Sequence, residues 1–157
     1  MRRPLLALLL AVSTLTARPV QGQDAPECAT PREACAFLHT FLTALNERNW
    51  TAFRATLADD ITVILDSPAI PERRDGRAAA EEAFLRIFPA PGEHPAQLPP
   101  PLKPLHLLAQ DFGDVVVVSF ELAAPNGVGR RTLVLHKTAS GWRVAHIHGS
   151  SVVVPAH

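Results

Sequence analysis

The residues of this chain best suited to chemistry lie in its last regular segment, Gly141-Trp142-Arg143-Val144-Ala145-His146-Ile147-His148-Gly149-Ser150. A glycine turn precedes it, and side chains that alternate faces with period two make it a strand. That period puts Trp142, Val144, His146 and His148 on one face, with Arg143, Ala145 and Ile147 on the other. Two imidazoles two residues apart then project in parallel beside apolar groups, and such rings bind, donate or accept a proton near neutral pH. His146 and His148 are therefore candidate general bases or hydrogen-bonding ligand groups. The plainer alternative is a pair of partly buried sheet histidines satisfied by backbone or carboxylate partners. Asp66 is a second candidate base, because it falls just past a strand where a pocket rim belongs; its commoner role is to start a turn with Ser67-Pro68.

Neighbouring segments offer companions. His106 and His136 fall on adjacent strands and join the list of ligand contacts with Trp50, Phe120 and Trp142, although tryptophans serve more often as packing. His-x-His supplies two nitrogens on one side of a strand. A metal site wants a third or fourth ligand, for which His106, His136 or Glu121 would have to serve, so no metal or other cofactor is assigned. Arg73, Arg74 and Arg77 flank Gly76 at a helix N-terminus, a place that suits anions. Glu72 and Asp75 neutralise much of that charge, and the segment reads as a solvated loop.

The elements that must position these residues follow from patterning. Thr30-Pro31-Arg32-Glu33 signals a helix start, and Phe37, Leu38, Phe41, Leu42 and Leu45 follow as one apolar stripe. Asn46 to Asn49 interrupts the stripe, and Trp50, Phe53 and Leu57 restart it on a shorter helix ending before Asp59-Asp60. Ile61-Thr62-Val63-Ile64-Leu65 is a strand by β-branched content. Ser67 to Asp75 leaves space for a short returning strand, and Gly76 opens a third helix whose core face is Ala79 or Ala80, Phe84, Ile87 and Phe88. Seven of the fifteen prolines fall within residues 89–104, which excludes helix and central strand and makes one long surface loop. Strands over Leu105–Gln110, Val115–Ala123, Arg130–Thr138 and the closing segment, joined by tight turns, predict an antiparallel meander. Helices first and strands after make the class α+β.

Residues 1–22 stand apart. A basic start, an apolar run from Leu5 to Val12 too short to span a bilayer, and Val20-Gln21-Gly22 before Gln23 have the layout of a signal peptide; the alternative is an uncleaved N-terminal anchor. Export predicts a secreted or periplasmic protein with no membrane contact after cleavage. Residues 23–32 form an N-terminal arm and 152–157 a short tail. Loss of Arg2, Arg3 and Arg18 from the fifteen basic residues leaves twelve against fifteen acidic ones, a formal −3. Nothing makes a basic stripe for nucleic acid. Cys28 and Cys35 are the only cysteines and, in an oxidising compartment, are expected to pair across the start of the first helix; two free thiols are the alternative.

This order of elements is similar to the nuclear transport factor 2-like fold and, within it, the SnoaL-like group, over about residues 33–151. The resemblance rests on Phe41-Leu42-Thr43-Ala44-Leu45-Asn46-Glu47-Arg48-Asn49-Trp50-Thr51-Ala52-Phe53, then Leu57-Ala58-Asp59-Asp60-Ile61-Thr62-Val63. It extends to Asp75-Gly76-Arg77-Ala78-Ala79 and to Trp142-Arg143-Val144 with His146 and His148. It implies a cone, in which a strongly bent, mainly antiparallel sheet wraps around three N-terminal helices. An apolar pocket opens at the wide end, and dimerisation runs through the sheet. Members include ketosteroid isomerase, scytalone dehydratase, limonene epoxide hydrolase, polyketide cyclases and non-catalytic association domains, so chemistry rests on a few side chains. The chain has no tyrosine, which removes the tyrosine-based oxyanion hole of the first and the tyrosines of the second. Asp66, Arg73, Asp75 and Arg131 are available for an Asp-Arg-Asp set of the third kind, but their spacing does not join them.

Two functions follow as expectations. One is an exported module that binds a small apolar molecule without strong catalytic activity. The other is a pocket enzyme of lyase, isomerase or cyclase type using His146 or His148 with an acidic partner. The missing tyrosines and the lack of a paired-carboxylate set favour the first.

Overall fold

The apolar stripe of the first helix closes onto a sheet built almost wholly from the C-terminal half of the chain. The structure, a computed structural model, describes residues 32–89 and 100–153. Helix α1 (Arg32–Asn46) buries Ala34, Leu38, Phe41, Ala44 and Leu45, the face expected from helical periodicity. Cys35, in its first turn, is disulfide-bonded, and the expected partner Cys28 lies outside the described residues. The leader, residues 1–22, lies outside them too.

Helix α2 (Trp50–Thr56) starts where the Asn49 side chain accepts a hydrogen bond from the Ala52 amide, which satisfies one of the N–H groups a helix start leaves open. It ends earlier than expected. Leu57 is extended, with φ −85° and ψ 141°, and opens strand β1 (Leu57–Ile64). Leu57 thus belongs to the sheet rather than the helix, and its side chain is fully buried there. Asp59 and Asp60 point to solvent in the irregular first half of β1. Asp59 takes an ion pair from Arg77 at 2.8 Å, and the Arg77 Nε donates to the Leu57 carbonyl.

Strand β2 (Arg74–Asp75) pairs antiparallel with β1, and Gly76 then turns the chain into helix α3 (Arg77–Ile87). Gly76 has φ +86°, a conformation that glycine adopts without the steric cost of a β-carbon. Helix α3 buries Ala80, Ala83 and Phe84.

The remaining strands are β3 (Leu105–Asp111), β4 (Val115–Ala124), β5 (Gly127–Thr138) and β6 (Gly141–Val153). They form the expected meander, with β1 added in parallel to β6, in the order β2-β1-β6-β5-β4-β3. The last two strands are longer than expected, and Val152 and Val153 extend β6 past residue 151. The inner face carries Val116, Val118, Phe120, Leu133, Leu135, Val144 and Ile147, all buried against the helices. Phe53 is the hub between layers, with ring centroids 5.5 Å from Phe41 and 4.9 Å from Phe84. Burying such a side chain contributes roughly 1.5–3 kcal/mol. The class is α+β, with three helices held against a curved six-stranded sheet among the described residues.

Strand β6 does not alternate throughout. Val144 pairs with Leu135 but His146 pairs with Val134, so Ala145 is an extra residue, a β-bulge. A one-residue insertion exchanges the faces of everything after it. Trp142, Val144, Ile147 and Gly149 are buried, whereas His146 is half-buried and His148 exposed. The expectation that Trp142, Val144, His146 and His148 share one face is therefore corrected. The two histidines stand on the outer face of the sheet, beside Thr62 and Ile64 of β1 and Thr132 and Val134 of β5.

Candidate ligand cavity

A cavity of about 190 Å³ lies between α1, α3 and the inner face of the sheet. Phe41, Leu42 and Leu45 of α1 form one wall, and Phe84 and Ile87 of α3, with Phe88 after them, form a second. Phe120, Leu122, Leu133 and Ile147 of the sheet form the third, and Leu65 and Leu102 complete the lining. Among the described residues, only Asp66, Ser67 and Arg131 bring polar side chains to it. Asp66 and Ser67 follow the end of β1. The Ser67 carbonyl accepts from the Ile70 amide and its hydroxyl from the Ala69 amide, a local turn that holds this rim.

Arg131 enters from the middle of β5, in phase with Leu133 and Leu135, where a hydrophobic side chain would be expected. Two glycines make space for it. Gly149 lies directly across from it on β6, and Gly129 is two residues before it on the same face. A β-carbon on Gly149 would stand 3.2 Å from both Cδ and Cζ of Arg131, and one on Gly129 would stand 3.3 Å from Nη1. The guanidinium therefore lies along the floor of the sheet where side chains are missing. Its Nη1 donates to the Arg130 carbonyl at 2.7 Å and the Ser150 carbonyl at 3.2 Å. Burial lowers the Arg131 guanidinium below its ordinary value, and the negative charge of Asp66 opposes that shift through space, without a direct ion pair.

Of the residues singled out by sequence for chemistry or ligand contact, Asp66, Phe120 and Arg131 line this cavity. The others do not. His146 and His148 are on the opposite face, as described. His106 is exposed on β3 and pairs with Glu121 at 2.9 Å, and His136 is exposed near the end of β5. Trp50 packs edge-on against Phe53, and Trp142 is buried in the core with the Lys137 ammonium 5.6 Å from its ring centroid. Among the described residues no group of three or more His, Cys, Asp or Glu side chains is placed to hold a metal ion.

The cavity brings together two members of the Asp-Arg-Asp set that spacing could not join, Asp66 and Arg131. Its other members go elsewhere: Arg73 and Asp75 form an exposed ion pair at 2.9 Å. Arg131 is the functional candidate that sequence reasoning left unassigned, although its phase with Leu133 and Leu135 on one strand was a usable signal.

One further contact closes the site. The Asn46 side-chain amide donates to the Leu102 carbonyl at 3.1 Å, and its oxygen accepts from the Leu102 amide at 2.7 Å. This two-way bond pins the C-terminal end of the proline-rich loop to α1 and sets Leu102 in the cavity wall. The described part of that loop thus belongs to the site; residues 90–99 lie outside the described residues.

Residues 35–155 match the family described as the SnoaL-like domain, and the chain belongs to that family. Solved structures share its fold at low identity. A cystatin-like fold protein from Burkholderia xenovorans is 21% identical, with 78% of this chain and 92% of that one covered and a TM-score of 0.61. A protein from Parabacteroides distasonis provisionally named a ketosteroid isomerase is 15% identical, with coverage of 76% and 85% and a TM-score of 0.54. One from Xanthomonas campestris, provisionally named a calcium/calmodulin-dependent protein kinase II association domain, is 21% identical, with coverage of 82% and 92% and a TM-score of 0.56. No curated protein matches the chain at a significant level. These likenesses show a shared fold and leave the chemistry to the side chains.

Proposed function

We propose that this chain is an exported binding protein that holds a small, mostly apolar molecule in the cavity between α1, α3 and the sheet, without strong catalytic activity of its own. The observation that carries this reading is the cavity itself, whose aromatic and aliphatic walls resemble those of small-molecule sites with few polar groups. Among the described residues the polar groups do not form a general acid–base pair: one carboxylate at the rim, one hydroxyl and one guanidinium. A lyase, isomerase or cyclase built on His146 or His148 gains no support from the geometry, because both rings face away from the cavity.

The reading includes export to the periplasm or beyond, from the basic and apolar start of the chain, and a homodimer through the outer sheet face. Half-buried Val117 and Val134 and exposed Ile64 favour that face as a contact. Neither nucleic acid nor membrane is a partner in this reading. Native mass spectrometry of the protein recovered from the periplasm tests it. The expected result is a dimer lacking residues 1–22 and carrying a small organic molecule. A monomer with an intact N-terminus, empty and indifferent to added small aromatics, would refute it.

A further inference from the structure

The small-molecule reading leaves the ligand's charge and size open, and the unpartnered edge of Arg131 constrains both. The Nη1 nitrogen is held by two backbone carbonyls, whereas among the described residues Nε and Nη2 have no protein partner. Those two nitrogens form one side of the guanidinium plane, and two parallel N–H donors match the two oxygens of a carboxylate. A cation on an otherwise apolar wall, with no ion pair of its own, is costly unless something charged completes it. Berths at Gly129 and Gly149 hold it flat and so fix the direction of the free edge.

Volume limits the rest of the molecule. An apolar cavity of about 150 Å³ takes up benzene, so about 190 Å³ suits a single ring or short chain with a compact acid group. Asp66 limits the charge: its carboxylate acts on Arg131 through space without pairing with it, so a single negative charge can take the free guanidinium edge, whereas a doubly charged ligand meets added repulsion from Asp66.

We propose that the cavity binds a small monocarboxylate with an apolar body, its carboxylate side-on to the Nε–Nη2 edge of Arg131 and its hydrocarbon part among Phe41, Phe84 and Leu133. This rests on the small-molecule reading and adds the ligand's class. Arg131 is then the specificity residue of the site, and the two glycines position it.

Calorimetric titration of the mature protein with phenylacetate, phenylacetamide and phenyl phosphate tests the proposal. Phenylacetate is expected to bind at least about tenfold tighter than the isosteric amide, and phenyl phosphate no tighter than the acid. Arg131→Gln should remove the preference for the acid, so that acid and amide bind alike. Arg131→Lys keeps the charge but not the fork and should weaken acid binding several-fold; equal binding would overturn the side-on geometry. If Arg131→Gln fails to fold, the comparison of acid and amide on the natural protein decides alone. Amide binding as tight as the acid overturns the carboxylate and leaves the small-molecule reading standing. If none of the three binds, the cavity reading falls and the proposal with it.

Discussion

Gly149→Ala is the smallest change that reaches the Arg131 berth, and two opposing effects set its outcome. A β-carbon there would stand 2.9 Å from Leu65 Cδ2 and 3.2 Å from Cδ and Cζ of Arg131. Replacing glycine with alanine restricts the unfolded chain and adds about 0.4–1 kcal/mol of stability. Overpacking a filled site costs about 1–3 kcal/mol. Leu65 yields readily, because the offending atom ends a flexible side chain. Arg131 yields only by loosening its Nη1 bonds to the Arg130 and Ser150 carbonyls, and a bond to a charged donor is worth about 1.5–3 kcal/mol. Overpacking therefore wins, with a net loss of about 1–2 kcal/mol. Urea denaturation followed by circular dichroism should show a lower midpoint at unchanged slope, and the thermal midpoint should fall by about 2–6 °C. Phenylacetate affinity should fall with it, because the displaced guanidinium moves into the cavity. Gly129→Ala is the internal control: its nearest contact is at 3.3 Å, against 2.9 Å at Gly149, so its cost should be smaller. A Gly149→Ala protein as stable as the natural one, with binding intact, would refute the berth.

Phe53→Ala removes the fully buried ring that touches Phe41, Trp50 and Phe84, and should cost about 3–5 kcal/mol by denaturant titration. Asn46→Ala breaks the two-way bond to Leu102; amide exchange at Leu102 should quicken while that of the α1 interior stays unchanged, and bound phenylacetate should dissociate faster. The hydrogen bond from Lys137 holds the Glu33 carboxyl below its ordinary range, so Lys137→Met should return it upward in a carbon-detected pH titration. The sign follows from linkage: the pair's stabilisation is complete above the ordinary carboxylate range and is lost as pH falls through the lowered value. Because both side chains are exposed, stability near neutral pH should barely change.

Local patterning in the sequence carried most of the architecture. The Phe37–Leu45 stripe, the turn glycines and the β-branched runs each depend on neighbours within a few residues, and α1, α3 and the four-strand meander appear where those signals put them. What local patterning could not supply depends on contacts between distant segments. Leu57 reads as the end of a helical stripe, yet pairing opposite Val144 draws it into β1. One extra residue at Ala145 moved both histidines to the outer face, and no local signal marks a bulge there. Asp66 and Arg131 meet across one cavity because β1 adds alongside β6 and β6 alongside β5. The strand phase that aims Arg131 inward was legible; the glycines on either side that make inward burial possible were meaningful only with the register known.

Diffraction from crystals held under xenon pressure tests the central claim most directly, since an unfilled apolar cavity of this size takes up the gas. The account predicts a xenon peak between α1, α3 and the sheet, ringed by Phe41, Leu45, Phe84, Leu133 and Ile147. An interior closed by side-chain packing at that place, with no peak, would contradict it.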